Sequence, residues 1–256
     1  EGMPFNGNID GNFANFVINI SGEANCVGLF GYIGPKGSVT NLSVSGSVTG
    51  GNYVGGVAGI NEGQLTNVYN TANVKGASYV GGIAGSNTGT ISIGYNRGNI
   101  EASGEYAGGI AGLNSGAIND VYNGALVLAD DKIGGVAGYS DGGTFSKAYY
   151  DFTLIYYFSP SQGNKPSRAV SNVSDTSTVT GKESELIRGK NILGGLGFNT
   201  ATWTETASTG LYDYYPQIKA FASNINSAIA QQSNRSVRVI RFTVGSGTAS
   251  DPYILR

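Results

Sequence analysis

The hydrophobic positions of this chain come in short bursts. Runs of three to five apolar or small residues are broken by Gly and Asn, and the i, i+3, i+4, i+7 spacing of an amphipathic helix is absent. Between Tyr53 and Asp131 the bursts recur at a near-constant interval. YVGGVAGINEGQLTNVYNTANVKGAS fills 53–78, YVGGIAGSNTGTISIGYNRGNIEASGE fills 79–105 and YAGGIAGLNSGAINDVYNGALVLADD fills 106–131, units of 26, 27 and 26 residues. A degraded copy begins at Lys132 and an earlier one at Asn25, which makes five in tandem. Each copy reads as three short strands: the V-G-G-[VI]-A-G run, then Leu65 to Tyr69 after a turn at Asn61-Glu62-Gly63, then Ala72 to Val74 after an Asn-rich corner.

Three strands per unit, repeated in register, predict an all-β parallel β-helix with one unit of about 26 residues per coil. At roughly 4.8 Å per coil, five coils make a rod about 24 Å long. Equivalent residues then lie over one another. Val54, Val80 and Ala107 form one stack; Val57, Ile83 and Ile110 a second; Leu65, Ile91, Ile118 and Phe145 a third. Asn61, Asn87 and Asn114, with Ser140 in the fourth copy, recur at one corner, and Asn70, Asn96 and Asn123 at another. Such columns are expected to be hydrogen-bonded ladders that hold the corners.

Composition sharpens this picture. Of 256 residues 42 are Gly and only 12% are charged, so Ser, Thr, Asn and Gly must form most of the surface, as in extracellular β-structure. A net charge of −2 gives no electrostatic draw towards nucleic acid or anionic membranes. Without histidine the chain cannot build a Ser-His-Asp triad, an imidazole base or a zinc–histidine site. The single cysteine, Cys26, cannot form an internal disulfide and reads as core filler in the run Cys26-Val27-Gly28-Leu29-Phe30. No apolar run reaches the ~20 residues of a membrane span, so no membrane insertion is expected. No cofactor and no metal site are expected.

With these residues in hand, the chain resembles the GLUG-motif family, glycine-rich repeats of large bacterial surface proteins that include some IgA-cleaving peptidases. The resemblance rests on V-G-G-[VI]-A-G-x-N-x-G followed by [IL]-x-N-x-Y-N and covers roughly residues 25–150. PFNGNIDGNFANFVINISGE resembles the family's opening coil, and ILGGLGF, Trp203 and YYPQIK its closing segment. The resemblance implies a right-handed β-helix and a surface module. In those peptidases proteolysis belongs to a separate metal-binding domain, and this chain has no H-E-x-x-H.

The expected organisation is coils over 1–152, a capping segment over 153–221, and a linker with the start of a following module over 222–256. SPSQGNKPSRAVSNVSD reads as an irregular loop, and Glu183 to Arg188 as one short helix. Trp203, Tyr212, Tyr214 and Tyr215 are expected to cover the open end of the last coil. SVRVIRFTV, with Arg235, Arg238 and Arg241, reads as a solvated strand, and GSGTASDPYIL as the lead-in to another module, so the chain reads as a piece of a longer polypeptide.

Three functions fit this reading. The first is a non-catalytic stalk or adhesive segment of an extracellular or cell-surface bacterial protein, with neighbouring modules of the same polypeptide and a host or cell-surface protein as partners. The second is carbohydrate binding, in which an outward column of Tyr69, Tyr95, Tyr122 and Tyr149 offers ring faces to a glycan. Tyr53, Tyr79 and Tyr106 form a second such column. The third is polysaccharide cleavage, which needs convergent carboxylates. Only Asp130, Asp131 and Asp141 form a local acidic group, and it reads as solvated turns. No catalytic residue is assigned.

Overall fold

A computed structural model of the chain describes residues 3–152, 168–182, 192–205 and 215–221. Over these residues it winds into an all-β solenoid of about 6 turns with about 27 residues per turn, and successive coils pair in parallel.

Three parallel sheets run along the rod. A narrow sheet stacks Val54–Gly55, Val80–Gly81, Glu105–Gly108 and Asp131–Gly134. A second sheet stacks Phe30–Ile33, Ala58–Asn61, Ala84–Asn87, Ala111–Asn114 and Ala137–Ser140. The long sheet stacks Asn8–Ile20, Ser38–Thr49, Gln64–Asn70, Thr90–Asn96, Ala117–Asn123, Thr144–Asp151 and Val179–Lys182. Asn73–Gly76, Ile100–Ala102 and Val127–Leu128 extend it past the Asn corner.

A coil therefore has four strand segments, not the three that the sequence suggests. The V-G-G-[VI]-A-G run divides at its second glycine between the narrow and second sheets. The reason is space. A Cβ on Gly55 would lie 2.2 Å from the Ala58 carbonyl oxygen, and one on Gly56 would lie 2.4 Å from Asn70 Oδ1. Only glycine lets the chain fold back this sharply against its own next strand and against the buried asparagine.

The predicted stacks form. Val54 pairs with Val80 and Val80 with Ala107, Leu65 with Ile91, Ile91 with Ile118 and Ile118 with Phe145. Val57, Ile83 and Ile110 are fully buried and are joined by Val136 of the next coil. Cys26 departs from expectation: Val27 enters the core, while Cys26 sits half-exposed at a corner with φ 58°.

Both asparagine columns are buried ladders. Asn61 Nδ2 donates to Asn87 Oδ1, and Asn87 Nδ2 to Asn114 Oδ1, each at 2.7 Å. Asn70 donates to Asn96 at 2.9 Å and Asn96 to Asn123 at 2.8 Å, while each Oδ1 also accepts from the amide two residues on and closes its own corner. Ile33 occupies the rung below Asn61 and has nothing to donate, so Asn61 Oδ1 is buried without a partner.

Stacking runs further than the repeat. Val170 bridges Ala137, and Val179–Lys182 pairs with Ala148–Asp151. Part of another coil thus lies beyond residue 152, inside the segment expected to be cap. A short helix, α1, occupies Ile192–Leu196. The helix expected at Glu183–Arg188, Tyr212 and Tyr214, and everything after Phe221 lie outside the described residues.

Candidate functional site

The long sheet bends once in each coil at a residue in the left-handed region: Asn41, Asn67, Ile93, Asp120 and Lys147, with φ between 51° and 56°. Two residues after each bend, the column Ser43, Tyr69, Tyr95, Tyr122, Tyr149 projects away from the coil interior, as the sequence reading expects. Tyr69 and Tyr95 stack at 4.5 Å and 6°, and Tyr95 and Tyr122 at 5.1 Å and 7°.

This column does not face solvent. Tyr122 is 0% exposed, Tyr149 4% and Tyr95 6%. They belong to a second apolar cluster outside the coil, made with Ile192, Leu193, Leu196, Phe198, Trp203, Tyr215, Ile218 and Phe221. Trp203 and Tyr215 were expected over the open end of the rod; instead they lie along its side. Residues 215–221 form a strap that runs from the rung of Tyr122, where Tyr215 stacks at 5.5 Å, to that of Tyr69, where Phe221 meets Tyr69 at 4.8 Å and Phe13 at 5.1 Å. Tyr122 donates its hydroxyl proton to the Pro216 carbonyl at 2.8 Å, Tyr215 donates to buried Asp151 at 2.7 Å, and the Arg97 guanidinium sits 5.5 Å from the Tyr215 ring centre. Burial pushes the Tyr149 phenol up, and within the coil burial and then the Asp175 carboxylate push Tyr150 up to about 12.

The sugar platform drawn on Tyr69, Tyr95, Tyr122 and Tyr149 is therefore corrected on two grounds. The strap covers Tyr95 and Tyr122 and half-buries Tyr69, while Leu196 and Phe198 cover Tyr149. The rings also spend their faces on one another, and a 4.5–5.1 Å gap leaves no room for a sugar between them. One sequence signal marks the strap. Where earlier copies have Thr71 and Arg97 after the ladder asparagine, the third has Gly124, and a Cβ there would lie 2.9 Å from the Tyr215 ring.

Among the described residues, none covers the second column. Tyr53, Tyr79 and Tyr106 are half-buried and stack at 4.6 Å, with interplanar angles of 12° and 3°. They sit at a corner whose rungs are Cys26, Tyr53, Tyr79, Tyr106 and Lys132, all with positive φ. The Lys132 ammonium closes one end, 4.5 Å from the Tyr106 ring centre, hydrogen-bonded to the Tyr106 oxygen at 3.1 Å and ion-paired with Glu105. The Glu105 hydrogen bond and then the Tyr106 oxygen hold the Lys132 pKa well above the usual lysine range. Desolvation and then the neighbouring Tyr53 and Tyr106 phenols raise that of Tyr79. Tyr139 of the second sheet abuts Tyr106 edge-on at 5.8 Å.

Among the described residues, the acidic side chains do not converge. Asp130, Asp131 and Asp141 are exposed, and among the described residues no group of three His, Cys, Asp or Glu is placed to hold a metal ion. Among the same residues, no helix is long and apolar enough to cross a membrane.

Comparison with known proteins supports the architecture. Neither a family model nor a curated protein matches the chain. A crystal structure of a "putative immunoglobulin A1 protease from Bacteroides ovatus" aligns with 83% of this chain and 78% of its own, at a TM-score of 0.55 and 21% identity. At that identity the likeness is one of fold: a β-helix.

Proposed function

We propose that this chain is a non-catalytic β-helical module of the GLUG-motif kind, a stalk or adhesive segment in a large secreted or cell-surface bacterial protein. The observation that carries the reading is the continuity of its stacking. From Ser38 to Asp151 each coil of the long sheet pairs in register with the next, over a core of aliphatic stacks and two asparagine ladders. A repeat solid throughout its length separates what lies at its ends and offers long lateral faces. A surface of Ser, Thr, Asn and Gly with few charges supports an extracellular setting, and neighbouring modules of the same polypeptide and host or cell-surface proteins are its natural partners.

The test is direct. Purified chain is incubated with a panel of polysaccharides and with unstructured protein substrates, with and without calcium and zinc, and the products are analysed by mass spectrometry. The proposal expects no turnover. Cleavage that tracks with the chain through purification and disappears in Asp130→Ala or Asp131→Ala would replace it with the enzymatic reading.

A further inference from the structure

The core is uncovered at its first coil. One coil further on, Val39, Leu42 and Val44 are fully buried. Their register partners below are Ile9, Ala14 and Phe16, of which Ala14 is exposed and the other two half-buried. Among the described residues Asn8–Ile20 pairs with Ser38–Thr49 alone, so the other edge of this 13-residue strand presents backbone donors and acceptors that no strand meets. An edge of that length is a template for one more strand.

We propose that residues 236–242 of this chain add to that edge as a further parallel strand, with Val237 beneath Ile9, Ile240 beneath Ala14 and Phe242 beneath Phe16.

The pattern carries the assignment. Because the long sheet bends at a left-handed residue, its inward positions do not alternate strictly. They fall at i, i+3 and i+5: Val39, Leu42 and Val44, then Leu65, Val68 and Asn70, then Ile118, Val121 and Asn123. Residues 236–242, which lie outside the described residues, read Ser-Val-Arg-Val-Ile-Arg-Phe. Laid on residues 38–44, they put Val237, Ile240 and Phe242 at the three inward positions. Ser236, Arg238 and Arg241 then take the outward positions of Ser38, Thr40 and Ser43. Val239 falls on the bend, where Ile93 shows that a β-branched residue is held at φ 55°. Strict alternation from Val237 would instead turn Arg241 inward with Val239. Reversing the segment gives i, i+2 and i+5, so the parallel sense is the one that fits.

Charge and reach agree. Arg238 comes beside Asp10, whose exposed carboxylate accepts from the Asn12 amide and from Asn41 Nδ2 on its Oδ1. Phe221, the last described residue, meets Phe13 of the same edge strand at 5.1 Å. The fourteen residues 222–235 reach about 21 Å if helical and about 46 Å if extended, and Asn8 lies at most about 17 Å along the strand from Phe13. A solvated strand, as the sequence alone suggests, would leave Ile240 and Phe242 in water.

The whole chain is tested by cross-linking in a Cys26→Ser background. Register partners on neighbouring parallel strands lie about 4.8 Å apart, inside the Cα range that a disulfide spans. Asn8→Cys/Ser236→Cys should therefore close an intrachain disulfide under mild oxidation, read by peptide mass spectrometry on the monomer. Asn8→Cys/Thr243→Cys, displaced along the strand by about 23 Å, should not. Ile240→Asp gives a second reading that needs no cross-link. A carboxylate placed under the core should raise the unfolding constant in urea at least about tenfold, whereas Arg235→Asp, outside the strand, should leave it within about threefold. The proposal fails if the Asn8/Ser236 cysteine pair stays reduced in the folded chain or if both pairs cross-link equally. A disulfide that forms between two chains overturns it in favour of a second copy on this edge, and Ile240→Asp unfolding as wild type does overturns it in favour of the solvated strand.

Discussion

A buried amide is costly to leave unpaired, and this gives the asparagine ladders an internal asymmetry. Asn87 is the middle rung of its column, accepting from Asn61 and donating to Asn114. Asn87→Ala removes both bonds and leaves two buried neighbours short of a partner, a loss of about 2–4 kcal/mol at roughly 1–2 kcal/mol per orphaned group. Asn61 sits at an end, above Ile33, with its own Oδ1 already unpaired. Asn61→Ala should therefore cost about half as much. Urea denaturation of the two variants checks this, and equal costs would mean that the amides act as separate turn residues and not as a chain. The ladders were legible in the sequence because a column repeating every 26 or 27 residues announces itself. The left-handed corners were not: Tyr53, Tyr79 and Tyr106 look like ordinary strand residues, and nothing in a one-letter code reports φ.

At the scale of elements, the sequence pattern led to the stacked coils and misplaced what covers them. The aromatics of the closing segment were assigned to the rod's end because an open coil exposes backbone. They lie along its side because the tyrosine column offers a larger apolar surface, and Val170 with Val179–Lys182 already continues the stacking at the end. Gly124 tests this arrangement. Thr71 and Arg97 show that the backbone at this corner accepts a side chain, yet in this coil a Cβ would meet the Tyr215 ring. Gly124→Val should dislodge the strap at a cost of about 1–3 kcal/mol while the coils persist. Trp203, the only tryptophan and 1% exposed, reports it. Its emission should shift to the red and become quenchable by acrylamide with far-ultraviolet circular dichroism unchanged. Unaltered emission would mean that the strap does not depend on that notch.

For the whole molecule, coils that stack in register residue for residue should be interchangeable, which single substitutions cannot test. Deleting residues 79–105 joins Ser78 to Tyr106, and every interior column closes over the gap: Val54 onto Ala107, Leu65 onto Ile118, Asn61 onto Asn114 and Asn70 onto Asn123. The shortened chain should fold into a rod one coil spacing, about 4.8 Å, shorter, measurable as maximum dimension in small-angle X-ray scattering. The strap is not made of repeats and cannot shorten with them. It spans two steps, from Tyr215 on Tyr122 to Phe221 on Tyr69 and Phe13. With one rung removed, Phe221 overshoots its pocket. In the full chain Phe221→Ala should cost about 3–5 kcal/mol, the usual loss for a buried phenylalanine. In the deleted chain the same substitution should cost close to nothing, so a double-mutant cycle between the deletion and Phe221→Ala should show coupling nearly as large as the single substitution. A deletion variant that fails to fold would refute interchangeable coils. One that folds with the full cost of Phe221→Ala intact would show that the strap is anchored at its Tyr215 end alone.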